Sequence, residues 1–261
     1  MSEIAITLTF GEVAENHAGM QQIGDKGEKG FEKDDLEFFK RKFKKAGLVV
    51  KTYSLKKFLP EKYHDCKGVQ PSDGEAIIMV VKNGLKYFDL SIEEVKEEQL
   101  ELEYDKKAYM RGRVVNKHAR YNLCFDKESQ EPDYENKKGT IVAYSDVPKL
   151  SQLRNKLSDM ISERGFEELK VEGNYYFNPS KCGIGYHGDT ERRIVIALRL
   201  GEEIPLAYRW YHKCESVSDT IKFDLEEGDM YFMSHKATGN DWRCSSKVTL
   251  RHSAGENFIT K

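Results

Sequence analysis

The residues most suited to chemistry are a histidine and an aspartate two positions apart, His187 and Asp189, in the segment Gly185-Tyr186-His187-Gly188-Asp189. Side chains alternate between the two faces of an extended strand, so this spacing places both on the same face. Completed by a second histidine, such a pair forms the facial triad that holds Fe(II) and leaves coordination positions open. An isolated His-x-Asp is a weak signal, and its weight here comes from the elements around it.

The elements that must position these side chains are short strands. A helix is predicted at residues 148–164, because leucines and an isoleucine recur every three or four positions before Gly165. Eight strand-like segments follow it with no helix between them, at residues 173–178, 183–187, 193–200, 206–211, 220–225, 229–234, 248–253 and 257–261. Many short strands joined by glycine-containing turns are typical of a jelly roll or a barrel. The His-x-Asp pair begins at the end of the second strand.

The first hundred residues have a different pattern. They predict strands at residues 4–10, 48–53 and 75–81, and a helix that is capped by Asp34 or Asp35 and ends near Gly47. A polar, charged stretch at residues 101–117 contains the predicted boundary. We therefore expect an α+β protein with a small α/β module of unknown role at residues 1–105 and a jelly-roll domain at residues 106–261.

Composition excludes several classes of protein. The chain has 261 residues, a net charge of −2 and five cysteines without Cys-x-x-Cys spacing, so neither a polycation nor a disulfide scaffold is expected. Its longest apolar runs have the length of strands, and its N-terminus lacks the pattern of a signal peptide. We expect an intracellular monomer, in cytoplasm or nucleus, without membrane association. Basic residues cluster locally at residues 40–45 and 106–120, most simply as solvated surfaces.

Taken in order, the motifs of residues 115–261 resemble the Fe(II)/2-oxoglutarate-dependent dioxygenases, and within them the AlkB-like branch. The segment at residues 117–122 resembles the basic strand before the substrate lid, and the helix at 148–164 resembles the helix outside the barrel. Asn174-Tyr175-Tyr176 is similar to the Asn-x-Tyr that contacts 2-oxoglutarate. Residues 193–198 and 228–233 resemble the strand after the metal ligands and the one before the distal histidine.

The resemblance implies a jelly-roll (double-stranded β-helix) core whose iron ligands are His187, Asp189 and a distal histidine. Two candidates exist for the third. His235 is only six residues past Asp229, about 20 Å along the same strand, whereas the family's ligand belongs to the next strand. His252 lies in that next strand and is followed by small residues, so it is the favoured ligand.

The same resemblance implies that Asn174 and Tyr176 bind the co-substrate 2-oxoglutarate. The family usually supplies an arginine on the eighth strand for the distal carboxylate, a charge-assisted contact. Here Lys261 would take that role, or Arg251 if His235 were the iron ligand. Tyr186 and the polar loop at residues 126–139 are the expected wall and lid of the site.

The implied activity is hydroxylation, the oxidation of a C–H bond with 2-oxoglutarate and O2 as co-substrates. Family analogy and the two basic runs favour a modified nucleic-acid base as the substrate. Two alternatives stay open at this point. One is a hydroxylase of protein side chains, and the other is a catalytically inactive jelly-roll module that binds a partner.

Overall fold

The computed structural model describes residues 4–260. In chain order its strands are β1 (Ala5–Gly11), β2 (Ala14–Glu15), β3 (Gln22–Ile23), β4 (Val50–Ser54), β5 (Ile77–Val81), β6 (Lys107–Met110), β7 (Arg113–Asn116), β8 (Tyr121–Asp126), β9 (Ile141–Ala143), β10 (Lys170–Tyr176), β11 (Ile184–His187), β12 (Val195–Gly201), β13 (Leu206–His212), β14 (Glu215–Ser216), β15 (Ile221–Phe223), β16 (Met230–Met233) and β17 (Val248–Ala254). The α-helices are α1 (Lys33–Lys45), α2 (Ile92–Leu100), α3 (Pro148–Ser162) and α4 (Glu256–Ile259). The predicted α+β class is confirmed. Between residues 4 and 260, no helix combines the length and the apolarity needed to cross a membrane.

Two sheets form the framework. The larger has eight strands in the order β4-β5-β16-β12-β1-β10-β8-β9, and only its β8–β9 pair is parallel. The smaller consists of β11-β17-β13-β14, with β15 also paired to β13. One face of the larger sheet packs against α1 and α3, and its other face packs against the smaller sheet. The protein is therefore layered as helices, large sheet and small sheet.

The predicted division at residue 105 is wrong. Strand β1 lies between β10 and β12 in the middle of the large sheet, and β5 extends the sheet by pairing with β16. Apolar residues from both sides of residue 105 share one core. Strands β1, β4 and β5 therefore belong to one sheet with strands from residues 121–233, and the first hundred residues do not form a separate module.

Successive side chains of the central strands point alternately toward the helices and toward the small sheet. On β12, Ile196 and Leu198 face the helices, whereas Ala197 faces the small sheet. Arg199 follows on the same side as Ala197 and donates a hydrogen bond to Thr7 of β1. The face toward the small sheet thus changes from apolar to polar, and the polar part forms the floor of a cavity.

The end of the chain differs from the prediction. Residues 257–261 were expected to form an eighth strand, but Gly255 turns the chain with φ of 97° and α4 follows it. The side chain of Ile259 is buried, which holds this short helix against the protein. The small sheet gains its remaining strands from the pairings of β14 and β15 instead.

Candidate metal centre

Two histidines meet where β11 pairs with β17. His187, the last residue of β11, lies opposite His252 of β17, and Asp189 follows two residues later. The Nε2 atoms of both histidines lie 3.6 Å from the same oxygen, Oδ1 of Asp189. His252 and Asp189 are buried, and His187 is half-buried. Donor atoms at this separation can share one divalent ion, whose bonds to nitrogen and oxygen are about 2.1 Å long.

Burial controls the charge of all three side chains. It lowers the pKa of His187 to about 4 and the pKa of His252 well below its usual range, with His187 and Arg192 adding to the second shift. Burial also raises the pKa of Asp189 to about 8. Nδ1 of His187 lies 2.8 Å from the carbonyl oxygen of Gly185, which leaves Nε2 directed toward Asp189. Two neutral imidazoles beside a carboxyl group that ionises poorly on its own form a donor set that a cation would stabilise.

Gly188, between the two ligands, is required by close packing. A Cβ at this position would lie 2.0 Å from the carbonyl oxygen of Gly239 and 2.8 Å from Cδ1 of Trp242. The indole of Trp242 therefore rests against the backbone of the ligand segment and lines the cavity beside it. Nδ2 of Asn240 donates a hydrogen bond of 2.7 Å to the carbonyl oxygen of Asp189. These contacts hold the His-x-Asp segment in place.

A cavity of about 880 Å³ contains the three side chains and extends between the two sheets. This volume is within the range of about 300–1,000 Å³ that is typical of sites for small molecules. Its buried walls include Thr7, Tyr176, Arg199 and Tyr231. Its lining also includes more exposed residues, among them His17, Lys26, Arg120, Trp242 and Arg243.

Arg199 is the most unusual of these residues. Its side chain is 3% exposed, its Nη1 donates to Oγ1 of Thr7, and its guanidinium lies 5.6 Å from the ring centre of Tyr231. Among residues 4–260 no carboxylate pairs with it, and its Nε has no hydrogen-bond partner. The equally buried Arg192, by contrast, pairs with Glu172 at 2.7 Å. Since a buried cation without a counter-ion is unfavourable, the cavity presents an uncompensated positive charge to its occupant.

Comparison with known proteins identifies the family but no activity. No protein-family model matches the chain. Over 262 residues the chain is 42% identical to the uncharacterized protein R156 of Acanthamoeba polyphaga mimivirus, and the match covers 99% of this chain and 100% of the viral protein. This chain belongs to the same family as that viral protein. Because the viral relative is itself uncharacterized, any activity has to be argued from the cavity.

The two residues expected to bind the co-substrate through the Asn-x-Tyr motif both line the cavity. Asn174 is already engaged, because its Oδ1 accepts hydrogen bonds from Nε of Arg120 at 2.8 Å and from Nδ2 of Asn122 at 2.6 Å. Tyr176 is 3% exposed and lies on the buried wall. Their position agrees with the expectation, although Asn174 connects the floor of the cavity to Arg120 rather than standing free.

Of the two expected carboxylate anchors only Arg251 lies within the described residues, and it does not line the cavity. Arg251 alternates with His252 along β17, so it points away from the site and stacks 4.0 Å above the ring centre of Tyr211. It also lies 5.1 Å from the ring centre of Trp242. Lys261 lies outside the described residues. Two buried arginines line the cavity, Arg192 and Arg199, and of these Arg199, on β12, is the one without an ion pair among residues 4–260.

The alternative distal histidine lies elsewhere. His235 begins a 3₁₀ turn after β16, and its Nε2 lies 2.9 Å from Nη1 of Arg193. His252, the favoured ligand, is the histidine that joins His187 and Asp189. His235 was expected on the same strand as Asp229, but β16 ends at Met233, so His235 lies beyond the strand in the 3₁₀ turn.

The expected wall and lid are not part of the described cavity lining. Tyr186 alternates with His187, so its ring packs 4.6 Å from the guanidinium of Arg209 on the opposite face of the small sheet. The loop at residues 126–139 contributes no side chain to the lining among residues 4–260. Residues 15–19, the end of β2 and the turn toward β3, line the cavity and bring His17 to its rim.

Sequence reasoning missed Arg199 and the loop at residues 15–19. A signal for Arg199 was present, because it is the single charged residue within the apolar segment at residues 194–200. A charged residue in a strand that is otherwise suited to a core needs either a partner or a ligand. No comparable signal marked the loop, since its role depends on the insertion of β1 into the middle of the sheet.

Proposed function

We propose that this protein is an Fe(II)- and 2-oxoglutarate-dependent dioxygenase that oxidises a C–H bond, with a nucleic-acid base as the favoured substrate. The observation that carries this proposal is the convergence of His187, Asp189 and His252 on one buried point of a cavity. Two histidines and one carboxylate are the donor set of non-haem Fe(II) oxygenases. We further propose that the two facing sheets form a double-stranded β-helix, or jelly roll.

The donor set fits the ion. Fe(II) would be held by Nε2 of each histidine and by the carboxylate of Asp189, whose pKa, raised by burial to about 8, makes a neighbouring cation favourable. When bound, Fe(II) supplies the oxidation of a substrate C–H bond by O2, coupled to conversion of 2-oxoglutarate to succinate and carbon dioxide. The protein orients His187 through the Gly185 carbonyl and holds the ligand segment with Gly188.

Arg199 supports the assignment of 2-oxoglutarate as co-substrate. An uncompensated guanidinium on a buried wall suits a carboxylate, which can accept two parallel hydrogen bonds from it. Thr7, already within hydrogen-bond reach of Arg199, would accompany it. A 2-oxo acid with a second carboxylate could use both groups, with its 2-oxo acid end at the metal and its other carboxylate at Arg199. The anchor then comes from β12, in place of the eighth-strand arginine that the family resemblance implies.

The lining also supports a planar substrate. Trp242 offers a flat surface beside the ligand segment, and Arg243 lies 5.0 Å from its ring centre. Arg120 adds a further cation at the cavity. Aromatic and cationic groups together suit a base with its attached phosphate. A protein side chain would not require this combination.

Anaerobic titration with Fe(II) and 2-oxoglutarate tests the proposal, because their joint binding gives a weak visible metal-to-ligand absorption band. We expect the band in the wild type and in His235→Ala, and its loss in His187→Ala and His252→Ala. Arg199→Met should still bind Fe(II) but require at least about tenfold more 2-oxoglutarate, as expected for loss of a charged hydrogen bond. A folded wild-type protein without the band would refute the enzyme and leave a binding module.

Succinate formation then separates the two classes of substrate. It should increase with oligonucleotides that carry methylated bases and stay at its basal rate with peptides. Stimulation by peptides alone would refute the nucleic-acid substrate and favour a hydroxylase of protein side chains.

A further inference from the structure

The segment at residues 106–120 contains six lysines and arginines and no aspartate or glutamate. It folds as the β6–β7 hairpin and the chain that leads into β8. Arg111 and Gly112 form its two-residue turn, with φ of 50° and 83°. Such a turn follows the natural twist of the strands, so the hairpin is well formed and presents its cations from a fixed frame.

These cations lack acidic partners. Lys106, Lys107, Arg111 and Arg113 are exposed, and within residues 4–260 none of them forms an ion pair. The other basic run, on α1, is different, because Lys40 pairs with Glu37 and Lys42 pairs with Glu163, both at 2.7 Å. In a chain of net charge −2, the hairpin is therefore a concentrated positive surface.

Aromatic rings lie beside this surface. The ammonium of Lys106 lies 5.9 Å from the ring centre of Tyr121, and Tyr121 stacks on Phe177 with ring centres 4.5 Å apart and planes at 24°. Both rings are half-buried and so keep part of their surface in solvent. Cations alternating with accessible rings suit nucleic acid, whose bases stack on aromatic side chains while its phosphates contact cations. An acidic protein partner would be bound by the cations alone and would make no use of the aromatic rings.

The positive surface is continuous with the cavity. At its end, Arg120 donates to Asn174 on the cavity floor, and Nζ of Lys117 donates a hydrogen bond of 2.9 Å to Oδ1 of Asn16. Asn16, Asn174 and Arg120 all line the cavity. From Arg113 to Lys117 the chain covers about 13 Å of strand; Lys117 is buried, and the half-buried Arg120 is the cation that connects the exposed hairpin to the cavity.

We propose that the β6–β7 hairpin, together with Tyr121 and Phe177, binds single-stranded nucleic acid and leads one nucleotide to the cavity. Delivery to the cavity rests on the proposed function, but binding to the hairpin does not. Single strands are favoured over duplex because the metal site is buried, and an unstacked base in a flexible strand reaches such a site at the lowest cost. The hairpin reads backbone charge, which makes binding tolerant of sequence and sensitive to salt.

The test is fluorescence anisotropy with labelled oligothymidylate and oligouridylate of about 12 nucleotides, a length that spans such sites. The full-length protein is used in EDTA, so that no metal chemistry contributes. The triple variant Lys107→Gln/Arg111→Gln/Arg113→Gln removes exposed hairpin charges. The matched control, Arg41→Gln/Lys44→Gln/Lys45→Gln, removes the same charge from exposed positions on or next to the C-terminal turn of α1.

For single strands, the slope of log affinity against log salt is about −0.7 for each phosphate contact. Loss of three contacts should therefore make the slope less negative by about 2. At 0.1 M salt the hairpin variant should therefore bind about 100-fold more weakly, with the α1 variant close to wild type. Tyr121→Leu should weaken binding roughly tenfold with an unchanged salt slope, as expected for loss of stacking. Comparison of the two oligonucleotides distinguishes DNA from RNA as the source of the strand.

Three results would overturn the inference: equal loss in the α1 variant, equal affinity for a duplex of the same length, or equal affinity for a polyglutamate peptide. The last would indicate an acidic protein partner. His187→Ala should bind the oligonucleotides like wild type. Failure of the dioxygenase proposal would leave these affinities unchanged, so the two proposals fail separately.

Discussion

Replacing Arg199 by methionine tests whether its buried charge truly lacks a partner. Burial of an unpaired charge costs several kcal/mol, of which the Thr7 hydrogen bond and the Tyr231 ring together offset about 3 kcal/mol. Methionine has a similar length and carries no charge. We therefore expect Arg199→Met to raise the free energy of unfolding of the ligand-free protein by about 1–2 kcal/mol.

Arg192→Met is the matched control, because both arginines are 3% exposed. Arg192 is paired with Glu172 at 2.7 Å and with Glu191 at 3.0 Å, so its removal leaves carboxylates without their counter-ion. Breaking a buried pair in this way should lower the free energy of unfolding by about 3–5 kcal/mol. The two substitutions of the same residue type thus have opposite expected signs.

Urea unfolding followed by circular dichroism in EDTA measures both effects. With Fe(II) present, 2-oxoglutarate at about 100 times its dissociation constant should stabilise the wild type by about 2.7 kcal/mol, and Arg199→Met, with at least tenfold weaker binding, by no more than about 1.4 kcal/mol. The reasoning is refuted if Arg199→Met is destabilised as much as Arg192→Met, or if it keeps the full stabilisation by 2-oxoglutarate.

Three further predictions concern the surroundings of the site. Gly188→Ala should lose about 3 kcal/mol of stability and bind metal more weakly, since its Cβ would lie 2.0 Å from the Gly239 carbonyl oxygen. Gly185→Ala is the control, because open space surrounds it, and calorimetry should show an unchanged unfolding temperature for that variant. Burial lowers the pKa of Lys117 to about 8, so the unfolded chain binds more protons between that pH and about 10.5. The free energy of unfolding of the wild type, measured with urea, should therefore rise across this window by up to about 1.4 kcal/mol per pH unit relative to Lys117→Met. A difference between the two proteins that stays constant with pH would contradict this. Asp105 accepts four hydrogen bonds that join residues 126–140 to the turn between β2 and β3. Asp105→Asn should therefore increase amide exchange in both segments, and unchanged exchange would exclude this role.

The sequence determined the local parts of the protein well. Helical spacing predicted α3 within two residues of its observed end, and the strand pattern after it agrees with the structure except at residues 257–261 and at β14, which was not predicted. The spacing of His187 and Asp189 predicted two side chains on one face. Reasoning from strand length favoured His252 over His235, and His252 is the histidine that lies beside His187 and Asp189. These features depend on period and distance along a few residues, which a sequence displays directly.

Only the tertiary structure decided which distant strands pair. His187 and His252 are opposite each other because β11 pairs with β17, and strand β1 supplies the floor of the cavity because it inserts between β10 and β12. No local pattern specifies a partner more than sixty residues away. The absence of a counter-ion for Arg199 is likewise a property of everything that surrounds it in space. For that reason the sequence could not show that Arg199 lines the cavity without an ion-pair partner among residues 4–260, while Arg251 points away from it.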